Sequence, residues 1–163
     1  MIFKSIKEIN ASLLTIDFDS GEEKLNSYLT NYALENDISN IGKTFVCLEN
    51  DEIVGFVTIA NAQVDFQEMP DDYKKEMPRY PVPAIRIARL AVDKRYQKQG
   101  YGKRILSFAF KKILLASYNT GIKVIIVDAK ERSKSFYEHF GFLKLVDSTY
   151  FLPIETIISA LIH

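Results

Sequence analysis

The stretch Ala84-Ile85-Arg86-Ile87-Ala88-Arg89-Leu90-Ala91-Val92-Asp93, followed by Gln97-Lys98-Gln99-Gly100-Tyr101-Gly102, decides the fold. Its first part is apolar except for Arg86 and Arg89 and reads as a strand over 84–92. The glycines open a segment in which Ile105, Leu106, Ala109, Phe110, Ile113 and Leu114 fall on one helical face, so a helix is predicted over about 101–117. Gly121 ends it. Residues 123–127, with Val-Ile-Ile-Val at their heart, are β-branched and read as a central, buried strand. Strand, helix and strand in that order imply a parallel pair joined by a right-handed crossover.

Upstream, Leu25, Tyr28, Leu29 and Tyr32 repeat at helical spacing, and Ser20 with Glu23 has the spacing of a capping box, so a helix is predicted over 20–34. Residues 44–48 and 53–59 read as a hairpin around Glu49-Asn50-Asp51-Glu52. Gly55 inside the returning strand signals a bulge or a close backbone approach. Residues 61–83 hold four of the five prolines and read as a long loop with one helical turn at 71–76. Downstream come a short helix over 132–139 ended by Gly141, closing strands over 142–146 and 150–152, and a helix after Pro153. The order gives an α/β (α+β) fold: a mixed, mostly antiparallel sheet with a central parallel pair, flanked by helices.

The 163 residues fit one domain, residues 1–163, since domains cluster at roughly 100–150 residues. A 47% apolar and 26% charged composition excludes wholesale disorder, and zero net charge excludes a uniformly basic nucleic-acid binder. The single cysteine, Cys47, lies in an apolar run and reads as a buried structural thiol. Two His and one Cys are too few soft ligands for a zinc site, so no metal is expected. No apolar run approaches the length of about 18 residues that a membrane span needs, and the N-terminus lacks a signal-peptide core. A soluble, cytoplasmic protein without a membrane partner is the expectation.

The Gly100-Tyr101-Gly102 turn is the strongest chemical signal. Glycines let a ligand approach the backbone, and a helix N-terminus offers free N–H groups and a positive dipole end to an anion. Lys98, Lys103 and Arg104 add charge. Gly102-Lys103 is followed by Arg104, which excludes a Walker A loop, and Ile105 stands where a dinucleotide fingerprint needs a third glycine.

Two landmarks then agree. The strand ending Leu90-Ala91-Val92-Asp93 with Gln97-x-x-Gly100-x-Gly102 resembles the acetyl-CoA signature of the GNAT N-acetyltransferases. Phe136-Tyr137-Glu138-His139-Phe140-Gly141-Phe142 is similar to the second landmark of that family. The resemblance spans about residues 44–146. It implies that strands 84–92 and 123–129 splay apart, and that the pantetheine arm of acetyl-CoA pairs with Leu90, Ala91 and Val92. It places the cofactor on Gln97, Lys98, Gln99, Gly100, Tyr101, Gly102, Lys103 and Ser133, the pyrophosphate lying on the amides of residues 99–103. A backbone N–H near Ala91 polarises the thioester carbonyl, and Tyr137 is the general acid toward the departing thiolate. Lys130 stands where many members carry Asn, and Ser133 where Ala is common. His139, two residues from Tyr137, points away from it on a helix and reads as structural; His163 is uninformative.

A narrower resemblance joins Phe18-Asp19-Ser20-Gly21, Tyr28-Leu29, Thr44-Phe45-Val46, Pro81-x-Pro83 and Arg89-Leu90-Ala91-Val92-Asp93 to the acetyltransferase toxins of bacterial toxin–antitoxin pairs. Ser20 replaces a frequent Cys and Ala88 a frequent Gly. That branch acetylates the α-amine of charged tRNA, and it implies an antitoxin partner and a homodimer. An α-amine titrates at about 7.7–8.0 in peptides and lower in an aminoacyl ester, so no strong base is required. None is obvious; an acid from 61–83 acting through water is one route. Arg86 and Arg89 are candidates for the substrate side. The alternatives are a small-molecule or protein amine as acceptor, or a CoA-binding module without activity. The zero net charge is itself a cancellation. Residues 1–92 carry 9 basic and 15 acidic groups, whereas 93–112 carry 7 and 1.

Overall fold

The computed structural model describes residues 1–15 and 17–162; His163 lies outside them. The strands are β1 (Ile2–Ser5), β2 (Lys43–Glu49), β3 (Glu52–Val64), β4 (Val82–Val92), β5 (Val124–Asp128), β6 (Leu143–Val146) and β7 (Thr149–Pro153). The helices are α1 (Glu23–Ser27), α2 (Ala33–Ile38), α3 (Asp71–Lys74), α4 (Tyr101–Ala116), α5 (Lys134–His139) and α6 (Ile154–Ile162). One sheet runs in the order β1-β2-β3-β4-β5-β7-β6. β4 and β5 are parallel, in register from Ala84↔Val124 to Ile87↔Val127, and β4 continues to Val92. The pairs β1–β2, β2–β3, β5–β7 and β6–β7 are antiparallel. The mixed sheet with a parallel pair is as the sequence predicts.

The chain forms two compact units. The first comprises Met1–Ala60 and Ala88–Lys111. Its core joins Tyr28, Leu29 and Ala33 to Val46, Leu48, Ile53, Phe56 and Ala91. The hairpin turn is made by Asn50 and Asp51, at φ 51° and 62°, the left-handed pair that a two-residue connection requires. Cys47 pairs with Gly55 and Leu48 with Ile53, so Val54 is the extra residue of a bulge. Cys47 is fully buried, and burial pushes its thiol up to about 11.

The predicted helix over 20–34 is displaced. It starts at Glu23, passes through a π turn at Tyr28–Tyr32 and ends at Ile38. The capping box does not form. The Ser20 hydroxyl accepts from the Glu22 N–H at 3.2 Å and donates to Asn26 Oδ1 at 2.8 Å, a local turn ahead of the helix. β1 escaped the sequence reading because four residues are too short for alternation to register.

The second unit comprises Asn61–Ile87 and Lys112–His163. The region read as a long loop is largely regular. β3 runs to Val64, a 3-10 turn covers Phe66–Glu68, and α3 supplies the predicted helical turn. Val64, Met69 and Val82 anchor it in a core with Val124, Ile126 and Phe151, joined by Tyr73 and Met77. Proline density therefore marks turns between packed pieces here. Among the described residues no helix is long and apolar enough to cross a membrane.

Candidate active site

The glycine loop is held by its side chains, which leaves its backbone available. The Gln97 amide donates to the carbonyls of Val92 at 2.8 Å and Ser20 at 2.9 Å, so that side chain fixes the loop. Gln99 Nε2 donates to the Arg95 carbonyl at 3.0 Å, and the Tyr101 hydroxyl donates to Glu49 Oε2 at 2.8 Å. Lys98 and Gly100 lie at φ 62° and 87°. A Cβ on Gly100 would meet nothing within 4 Å, so its surface is open to a ligand. The Arg104 N–H bonds back to the Gly100 carbonyl at 3.2 Å and opens the α4 ladder. The N–H groups ahead of it belong to the first helical turn, which has no intrahelical acceptors. That is an anion cradle at the positive end of a 16-residue helix.

Its foundation is Asp93, which sequence reasoning passed over. The carboxylate is 1% exposed. It accepts from the Arg95 N–H at 2.9 Å, from Arg95 Nε at 3.1 Å and from the Asp19 N–H at 3.1 Å. Burial alone would raise its pKa, but these bonds outweigh it and hold the group below the usual carboxylate range. A depressed folded-state pKa adds stability at pH above the unfolded value, and that stability is lost as pH falls through the folded value. Asp93→Asn is expected to lose about 1–3 kcal/mol at pH 7. The difference from the native chain should begin to shrink as pH falls below the unfolded value of about 4, and vanish only below the depressed folded value, where both carry a neutral group. Urea midpoints at pH 7 and pH 3 measure it; an undiminished difference at pH 3 would remove the ionic explanation.

Of the seven basic residues over 93–112, Lys94 pairs with Asp19 at 3.4 Å and Arg95 with Asp93. Lys103, Arg104 and Lys111 instead line a groove of about 560 Å³ with Phe108, Phe3 and Met1. Among the described residues Lys103 and Lys111 stand in no ion pair. The basic surface expected from sequence is therefore narrower, and it follows one side of α4.

The second unit carries Tyr137. It sits on α5, 5% exposed, its ring against Phe136 at 5.1 Å and Phe142 at 5.4 Å. The landmark Tyr-x-x-x-Gly-Phe has a plain physical meaning. The Phe142 N–H bonds to the Tyr137 carbonyl at 3.2 Å, the Gly141 N–H bonds to the Glu138 carbonyl at 3.0 Å, and Gly141 has φ 95°. This is a Schellman cap, and the Tyr137–Phe142 contact is the apolar clasp that accompanies it. Burial pushes the Tyr137 hydroxyl well above its ordinary value, so it stays protonated at working pH. Ser133 precedes α5, and its hydroxyl donates to the Lys130 carbonyl at 3.1 Å. His139 is exposed.

The two β4 arginines have different surroundings. Arg86 Nη1 donates to Asp128 Oδ2 at 2.7 Å, and Thr149 Oγ1 donates to Asp128 Oδ1 at 2.6 Å. Arg89 lies over the Tyr28 ring, 3.8 Å from its centroid. Leu90, Ala91 and Val92 follow directly, with Ala91 buried and Gly55 close behind it.

Residues 40–144 match the model of an acetyltransferase (GNAT) domain. The chain belongs to the GNAT acetyltransferase family. It is an N-acetyltransferase that uses acetyl-CoA and acts on a primary amine. It is 35% identical over 126 residues to the tRNA-acetylating toxin of Mycobacterium tuberculosis (strain ATCC 25618 / H37Rv), covering 77% of this chain and 75% of that protein. Its fold is similar to a crystallised Tyr-to-Phe mutant of KacT, with a TM-score of 0.88 and 25% identity over 98% of both chains. It is similar also to AtaTR bound with acetyl-CoA, with a TM-score of 0.84 and 25% identity over 98% of this chain and 97% of that one.

Proposed function

We propose that this acetyltransferase, working as one domain, modifies the α-amine of aminoacyl-tRNA and so acts as the toxin of a toxin–antitoxin pair. The observation that carries the reading is the 35% identity with a tRNA-acetylating toxin across three quarters of both chains. The basic groove along α4 supports it, since an RNA backbone needs unneutralised cations. A cytoplasmic location, an antitoxin partner and a homodimer belong to the same reading.

Acetyl-CoA supplies the acyl group as a thioester. Leu90, Ala91 and Val92 pair with its pantetheine arm, and the cradle over Gln97, Lys98, Gln99, Gly100, Tyr101, Gly102 and Lys103 holds its pyrophosphate. Ser133 flanks the cofactor. A backbone N–H near Ala91 bonds the carbonyl oxygen as charge develops there. The neutral amine attacks the thioester carbon directly, forming the amide C–N bond and breaking the C–S bond. The amine proton leaves to solvent, and Tyr137 donates to the thiolate.

The experiment is acetylation of charged bulk tRNA with radiolabelled acetyl-CoA. The expected product is N-acetyl-aminoacyl-tRNA, recovered after mild base as the N-acetyl amino acid. Thiol release with polyamines or peptide N-termini, and none with charged tRNA, would move the enzyme to another acceptor.

A further inference from the structure

Arg89 is a half-buried guanidinium that the fold leaves unused. Arg86, on the same strand, is neutralised by Asp128. Arg89 makes no ion pair and no hydrogen bond among the described residues, and its one partner is the Tyr28 ring. A partly desolvated cation with five donors and no acceptor is costly to keep. The face it occupies has no need of a cation, since Ala91, two residues on, packs with Tyr28, Leu29 and Phe56. An apolar side chain at 89 would pack there at no such cost.

The ring beneath it is firmly set. Tyr28 is 6% exposed, its hydroxyl accepts from Asn36 Nδ2 at 3.5 Å, and it opens the π turn that interrupts the helix. Such turns are frequent at functional sites. Stacking fixes the guanidinium plane and leaves its fork of N–H groups for a planar anion. Arg89 also precedes Leu90, Ala91 and Val92 directly on β4, the segment proposed to pair with the pantetheine arm.

We infer that Arg89, stacked on Tyr28, receives the phosphodiester on the 5′ side of the acceptor's terminal nucleoside and thereby selects RNA-linked amines. The inference rests on the aminoacyl-tRNA reading. In that substrate one ribose separates the aminoacyl ester from the phosphodiester. A cation next to the acyl segment can therefore hold the phosphate while the amine reaches the thioester. The same positive charge disfavours the ammonium form of the acceptor and keeps the nucleophile neutral.

The test compares two acceptors with the same α-amine. Puromycin carries it on a nucleoside without a 5′ phosphate; cytidylyl-(3′→5′)-puromycin adds the phosphodiester. The native enzyme is expected to favour the dinucleotide in kcat/KM by roughly 10- to 100-fold. Arg89→Gln should bring that ratio toward one. Arg89→Lys, which keeps charge but loses the fork, should give an intermediate ratio. If Arg89→Gln lowers both acceptors equally, the stack is structural and the inference falls. If the native enzyme acetylates charged tRNA yet shows no dinucleotide preference, the inference falls and the acceptor reading stands. If it acetylates neither charged tRNA nor the two puromycins, both fall. A peptide arm compares an acidic with a neutral second residue; an Arg89-dependent preference for the acidic peptide would assign the fork to a carboxylate and overturn the phosphodiester.

Discussion

Tyr137→Phe is expected to lower kcat by about 10²–10⁴-fold while acetyl-CoA affinity and thermal stability are retained. The substitution removes one hydroxyl and nothing that holds the ring. Phe keeps the contacts with Phe136 and Phe142, and the Schellman bonds around Gly141 come from backbone. Cofactor affinity is retained because the proposed pyrophosphate contacts are backbone groups of the Gly100 turn. The hydroxyl matters through its proton. Burial holds its pKa above the ordinary value of about 10, so the proton is present throughout the working range. An unperturbed thiol titrates at about 8.5, which alone would make Tyr137 a weak acid toward it. The same low dielectric also penalises a desolvated thiolate, which narrows the gap. A pH profile follows: kcat/KM should rise as the acceptor amine loses its proton and then stay level, with no fall attributable to Tyr137 below about pH 10. Thiol-release kinetics, calorimetry with acetyl-CoA and a melting curve check the three parts. A Phe variant with native kcat would assign the thiolate's proton to solvent.

The landmarks were legible because each is a local backbone requirement written in residue type. Gly141 after Tyr137 is a helix stop that needs φ 95°, and Phe142 is the apolar partner that such a stop clasps. Gly100 needs φ 87° and open space above it. The strand–helix–strand order implied the parallel pair, because a crossover helix carries the chain back so that the next strand runs the same way. What stayed hidden depends on long-range partners. Asp93 reads as the end of a strand, and only the fold brings Asp19 to it across 74 residues. Gln97 reads as a ligand residue of the motif, yet its side chain ties the loop to Val92 and Ser20. The π turn at Tyr28–Tyr32 kept helical spacing in its apolar residues, so periodicity could not show the extra residue per turn. The regular pieces within 61–83 were masked by proline, whose constraint acts on turns as readily as on loops.

Gly55→Ala should be the most damaging single methyl in the first unit, and its two contacts predict two separable losses. A Cβ there would stand 2.5 Å from Ile105 Cδ1 and 2.7 Å from the Ala91 carbonyl oxygen. Ile105 is the end of a flexible side chain, but it is fully buried and has little room to turn. Overpacking of this kind costs about 1–3 kcal/mol, or a fall of roughly 2–4 °C in Tm per kcal/mol for a chain of this size. The Ala91 carbonyl cannot rotate aside, because it belongs to β4 at the segment proposed to hold the acyl group. Any shift of that backbone moves the N–H proposed to meet the thioester oxygen, and a 1 Å misplacement of a reacting group can cost about 10²-fold in rate. The double variant Gly55→Ala with Ile105→Val separates the two effects. Shortening Ile105 relieves the side-chain clash and should recover part of the lost stability. It leaves the carbonyl contact in place, so kcat should stay low. Recovery of both together would mean that Ile105 alone transmits the damage, and that the approach of Gly55 to Ala91 serves packing and not acetyl transfer.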